Sequence, residues 1–302
     1  MRSTVLALLL SCVAATAATA AEKTVKLEVQ GYDRTYTYHS PDAKGRLPLV
    51  LVLPESGVSG ADALTQYRWS ALADKEKFIA VGLDALPVEP AKAEMFQTNP
   101  SYWSDGSGRG NAFRGHLDDS AYVRAVLDDL DDRLSLDPKR IYATGIGNGG
   151  SMANELGVTL SGRLAAIAPV MGHLWDSDRP ANAISVLMIY GAKDTVDPVE
   201  GGMGINQWTH GFDRRPAASD TAHAWAKDLA CPGDPTVTSN DTMNRNEWTG
   251  CMGNASVEYV ILPNQGHHWP GGVDDGLSSL GPNGSFDATG FIWQWFKDHP
   301  KG

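Results

Sequence analysis

Six short apolar runs that do not alternate with polar residues decide what sheet this chain can build. They are LPLVLVL (47–53), FIAVGL (78–83), RIYAT (140–144), AAIAPV (165–170), ISVLMIY (184–190) and VEYVIL (257–262). A strand with one wet face alternates. A continuous run suits a strand buried on both faces, as in a mostly parallel sheet covered by helices. Helical patterns fill the intervals, at 61–75, 118–135, 149–159, 218–229 and 287–298. In the second of these, Tyr122, Val123, Val126, Leu127, Leu130 and Leu134 recur at helical spacing, while Asp128, Asp129, Asp131 and Asp132 form a solvated face. Strand alternating with helix predicts an α/β architecture, a mostly parallel central sheet with helices on both faces. Ahead of it, KTVKLEVQ and DRTYTYH alternate about Gly31 and Tyr32, the pattern of an antiparallel hairpin.

No internal repeat, low-complexity linker or composition shift divides the chain, so residues 21–302 read as a single domain. Residues 1–20 read as a secretory signal peptide: Arg2 precedes an apolar run from Val5, and Ala18-Thr19-Ala20 supplies a small-x-small cleavage site. The run is too short for a membrane span. Export to the periplasm or the exterior follows, with a lipoprotein cysteine at Cys12 as the other possibility. The formal net charge of −11 argues against nucleic acid and anionic membranes as partners. Past the signal two cysteines remain, Cys231 and Cys251. In an exported chain they are most simply one disulfide, worth about 3 kcal/mol in the chain-entropy model, the other reading being two free thiols. No His or Cys pair near them has ligand spacing, so no metal is expected, and nothing calls for a cofactor.

The chemistry centres on IYATGIGNGGSMANEL (141–156), a strand, a glycine turn and a helix. That setting presents the nucleophile of G-x-S-x-G hydrolases on a strained turn. Gly145, Gly149 and Gly150 keep the turn's small residues, but the serine position holds Gly147. Downstream, GAKDTVDP places Asp194 just past a buried strand, and NQGHHWPGG places His267 just past another. In open α/β sheets catalytic groups gather at the carboxyl ends of strands. An elbow, then an acid, then a histidine is the α/β-hydrolase order, in which the acid orients the imidazole. Asp197 and His268 are the nearest rivals for those two roles.

These residues carry a family resemblance over most of the mature chain. DPKRIYATGIGNGGSMA, YGAKDTVDPVEGG, QGHHWPGG with FIWQWFKDH, and the Cys231–Cys251 pair resemble the secreted esterases grouped with poly(3-hydroxybutyrate) depolymerases, feruloyl esterases and acetylxylan esterases. The resemblance implies the α/β-hydrolase fold, with Asp194 as the acid, His267 as the base and Gly147 at the nucleophile position. It also implies an oxyanion hole from backbone N–H groups after strand 47–53 and at Asn148. The family carries His-Gly and further small residues after that strand, whereas this chain has Pro54, Glu55, Ser56 and Gly57. Glu55 either sets negative charge beside the oxyanion position or points to solvent.

A substitute nucleophile has two candidates: Ser151, one helical turn past Gly147, and Ser56 in the oxyanion loop. Two Gly-rich loops, 101–115 and 201–219, carry Trp103 and Trp208, which could stack on a ligand ring or polymer. The expectation is a degenerate member of this family that binds an ester, phenolic or polysaccharide ligand. The alternative is an active carboxylic-ester hydrolase working through a substitute nucleophile or water.

Overall fold

The runs that do not alternate lie at the middle of a ten-stranded sheet, in the order β1-β2-β4-β3-β5-β6-β7-β12-β11-β10. A computed structural model describes residues 22–108, 117–175, 178–205, 211–273 and 276–302. The expected signal peptide lies outside the described residues.

The strands are β1 (Lys23–Val29), β2 (Tyr32–His39), β3 (Leu47–Leu53), β4 (Ile79–Leu83), β5 (Leu136–Ile146), β6 (Ala166–Val170), β7 (Ser185–Gly191), β8 (Gly202–Ile205), β9 (Phe212–Arg215), β10 (Thr236–Ser239), β11 (Asn244–Trp248) and β12 (Val257–Leu262). The six central strands, β4, β3, β5, β6, β7 and β12, pair in parallel. Antiparallel strands finish both edges: β1–β2 against β4, and β10–β11 against β12. The N-terminal hairpin is therefore present. The far-edge hairpin β10–β11 gave no apolar signal, because β10 is exposed along its whole length.

Helices cover both faces: α1 (Gly60–Gln66), α2 (Trp69–Glu76), α3 (Asp119–Arg133), α4 (Asn148–Thr159), α5 (Ala218–Asp228) and α6 (Ala288–Asp298). The pleat of β3 shows how one strand serves two cores. Leu49, Leu51 and Leu53 join the cluster that includes Tyr122, Val126, Met152 and Trp225 of α3, α4 and α5. Val50 and Val52 join the one that includes Leu64, Trp69, Ile292 and Phe296 of α1, α2 and α6. This is the expected α/β-hydrolase arrangement.

The single helix expected at 61–75 is two. The Gln66 carbonyl accepts the Val273 N–H at 2.9 Å, and the Tyr67 carbonyl accepts the Thr289 hydroxyl at 2.6 Å. With two carbonyls engaged outside the helix the ladder breaks, and Arg68 turns to φ +64°. Cys231 and Cys251 form a disulfide that joins the end of α5 to the loop between β11 and β12.

Strand order also fixes where a site can form. From β3 the chain leaves toward α1 on one face, and from the adjacent β5 it leaves toward α4 on the other. The crevice between their carboxyl ends is a topological switch point, where ligands of open α/β sheets bind.

Candidate active site

The turn from β5 into α4 is as tight as the sequence suggests. Gly147 caps α4 at φ +55°, ψ −117°, a strained positive-φ conformation of the kind a nucleophile elbow imposes on its central residue. Its N–H donates to the Val170 carbonyl at 3.0 Å, and its carbonyl accepts the Ser151 N–H at 2.8 Å. Gly149 permits the close approach of strand and helix, since a Cβ there would overlap the Leu53 carbonyl oxygen.

The space above Gly147 is filled. A Cβ built on Gly147 would overlap Oε2 of Glu55, which reaches across from the end of β3. That oxygen accepts from His267 Nε2 at 3.0 Å. The other, Oε1, accepts the Ser56 N–H at 2.9 Å and lies 3.4 Å from the Asn148 N–H. Both backbone donors assigned to an oxyanion hole thus converge on one carboxylate oxygen, while the second oxygen faces the imidazole. The solvent-pointing alternative for Glu55 is not what the fold adopts, although 20% of its side chain remains accessible. Sequence reading left open whether the charge lies beside the hole or in solvent. It missed that the absence of a serine side chain makes room for that charge.

Asp194 and His267 come together from the ends of β7 and β12. Asp194 Oδ1 accepts the N–H groups of Val196 and Asp197, both at 2.8 Å, which fixes the carboxylate. Oδ2 accepts from His267 Nδ1 at 2.7 Å. An imidazole between two carboxylate acceptors donates from both nitrogens and is an imidazolium. Burial opposes that charge. Asp194, by charge and hydrogen bond, and then Glu55 outweigh it and hold the His267 pKa well above the ordinary imidazole value.

The rivals have other work. Asp197 accepts from Arg215 Nε at 2.6 Å and stands 4.0 Å from His267 Nδ1. Burial pushes its pKa up, but His173, His267 and Arg215 together hold it well below the usual carboxylate range. His268 Nε2 meets the Gly281 carbonyl at 3.0 Å. Ser151 is buried, and its hydroxyl accepts the His173 N–H at 3.0 Å and the Trp175 indole at 3.3 Å. That places Ser151 in the packing behind the elbow.

Trp103 differs from the ligand-stacking ring expected of it. It is 1% exposed, packs against Tyr122, and its indole donates to the Pro54 carbonyl at 3.0 Å. The Asn148 side chain laces the same loop to the elbow, accepting the Trp103 N–H at 2.6 Å and donating to Asp105 at 2.8 Å. Trp103 therefore positions Pro54 and Glu55. Trp208 lies outside the described residues. Among the described residues no His, Cys, Asp or Glu cluster could hold a metal ion. No helix among them is long and apolar enough to cross a membrane.

No protein-family model matches the chain. Among curated proteins it is 30% identical over 272 residues to "Putative esterase NocK" of Nocardia uniformis subsp. tsuyamanensis, covering 81% of this chain and 73% of that one. It is 29% identical over 160 residues to feruloyl esterase B of Piromyces equi, spanning 50% of this chain but only 29% of that longer protein. Among solved structures, the acetyl xylan esterase of Aspergillus awamori superposes with a TM-score of 0.58 at 11% identity, over 81% of this chain and 94% of that one. A thermostable esterase superposes with a TM-score of 0.55 at 14% identity, over 93% of this chain and 63% of that one.

Proposed function

We propose a function from one premise: the chain belongs to an esterase family of the α/β-hydrolase fold. Within that family it is a member whose acyl-transfer site is closed by its own side chain. Serine esterases need a hydroxyl on the elbow and free N–H donors for the oxyanion that develops. Here Glu55 Oε2 stands over Gly147, and Oε1 takes the donors of Ser56 and Asn148. That double occupation carries the reading, for an incoming carbonyl finds neither a serine nor an open hole.

What remains at the switch point is a carboxylate–imidazolium–carboxylate chain. On this reading the protein binds an ester, phenolic or polysaccharide ligand and performs no acyl transfer to a serine. The ligand class rests on relatives named as a feruloyl esterase and an acetylxylan esterase/xylanase. We read residues 21–302 as one exported domain. The Cys231–Cys251 bridge supports that, since structural disulfides persist in oxidising compartments.

The test pairs a short-chain p-nitrophenyl ester screen with fluorophosphonate labelling of the native protein. The expected result is turnover at the buffer rate and no labelled serine. Robust turnover abolished by the fluorophosphonate would overturn the reading and return Ser56 or Ser151 to the role of nucleophile.

A further inference from the structure

A carboxylate with one oxygen seated in two backbone N–H donors and the other facing an imidazole is not arranged for acyl transfer to a serine. It is arranged to be attacked itself. We infer that Glu55 is a nucleophile toward saturated carbon, and that the protein hydrolyses alkyl compounds whose leaving group departs as an anion, through an ester formed on Glu55. The inference builds on the placement of Glu55 used above and goes beyond a binding role.

In the first step Oε2 of Glu55 attacks the carbon bearing the leaving group. An O–C bond forms, the carbon–leaving-group bond breaks, and the leaving group departs with its electron pair. Esterification removes the Glu55 charge, so the His267 imidazolium loses one of its two acceptors and releases its Nε2 proton to solvent. The neutral ring, still held through Nδ1 by Asp194, is then a general base. In the second step a water gives a proton to Nε2 and its oxygen adds to Cδ of Glu55. The oxyanion forms on Oε1, where the N–H groups of Ser56 and Asn148 already point. Collapse expels the alkoxide, which takes the proton back from His267 and leaves as the alcohol. The new carboxylic acid passes its proton to Nε2 and restores the pair. The balance is alkyl compound plus water giving alcohol, the free anion and one proton.

Two further features suit such a substrate. Glu55 is not sealed off from solvent, since 20% of its side chain remains accessible. The half-exposed Phe96 packs against Gly57, two residues along, beside Met95, which is 60% exposed. Together they give the approach an apolar lip for a hydrocarbon group.

The experiment uses the native full chain with 4-nitrobenzyl bromide in ¹⁸O-water, under single turnover. The expected result is a nitrobenzyl ester on the peptide carrying Glu55 at early times. After turnover, ¹⁸O lies in the Glu55 carboxylate and unlabelled oxygen in the alcohol, because water attacks the glutamyl carbon and not the alkyl carbon. Glu55→Gln should release bromide no faster than buffer. His267→Gln should release one equivalent and stall as the ester. An adduct on any other residue, ¹⁸O in the alcohol alone, or a Glu55→Gln protein that turns over like the native one would overturn the inference. The closed-acyl reading stands or falls separately, on the fluorophosphonate result.

Discussion

On the β7–β12 side of the site, Asp194 and His267 stand 2.7 Å apart, each held by backbone contacts. On the β3–β5 side the backbone is as tight, with Gly147 at φ +55° and two N–H donors converging beside it. There a glycine stands on the elbow and a glutamate fills the space above it. One half offers an acid–imidazole pair, the other two peptide N–H groups and the Glu55 carboxylate. The elbow's geometry belongs to the strand–helix packing and does not depend on the side chain it presents. The volume above Gly147 is taken by a side chain from the end of the neighbouring strand, and the imidazole keeps a partner on both nitrogens.

The largest expected effect comes from changing Gly147 and Glu55 together. Gly147→Ser alone must push the Glu55 carboxylate aside, and Glu55→Gly alone leaves no nucleophile. The double variant opens the hole and supplies the hydroxyl. Loss of the nucleophile costs a serine hydrolase about 10⁶ in turnover. Recovery in the double variant should exceed either single by at least about 10²-fold, the worth of one oxyanion donor. Hydrolysis of p-nitrophenyl acetate measures it. If Gly147→Ser alone matches the double, Glu55 does not hold the serine's place.

A change far from the β3–β5 half separates stability from chemistry. Replacing both Cys231 and Cys251 with alanine should cost about 3 kcal/mol in denaturant unfolding. The His267 titration should not move. A shifted titration would tie the β12 loop's order to the bridge and blur the line between the two halves.

A smaller effect tests the positioning of Glu55. Trp103→Phe removes the hydrogen bond to the Pro54 carbonyl and should cost about 1 kcal/mol. Looser order should then appear in the Glu55 loop and not at Asp194, as amide hydrogen exchange would show. Equal loosening on both sides would mean the halves are one cooperative unit.

Much of this was legible in the sequence because the physics behind it is local. Non-alternating runs mark doubly covered strands, and strand ends gather Asp194 and His267. The break at Arg68 was not legible, since it depends on Thr289 and Val273, more than 200 residues away, capturing two helix carbonyls. Trp103 read as a loop aromatic open to ligand, but burial against Tyr122 is a tertiary fact. The direction of Glu55 was left open for the same reason. The space it enters exists only because Gly147, on another strand, has no side chain. A Gly at the serine position together with an acid after β3 was the available signal, but sequence spacing does not show that the two meet.

The pH dependence of stability carries a definite sign. The native His267 pKa lies above the unfolded value, so its ion chain contributes stability that is fully present below about pH 6.5 and is lost as pH rises through the native pKa. With Glu55→Gln that loss should be smaller and complete at lower pH, because one of the two stabilising carboxylates is gone. Thermal unfolding across pH would show the two curves converge at high pH.

The most direct measurement is an NMR titration of the His267 ring in the native protein and in Glu55→Gln. The account predicts an imidazolium protonated at both nitrogens well above the ordinary histidine range in the native protein. In Glu55→Gln the pKa should be lower, with Asp194 still holding Nδ1. An identical titration in the two proteins would show that Glu55 does not face His267, and that the nucleophile position stands empty.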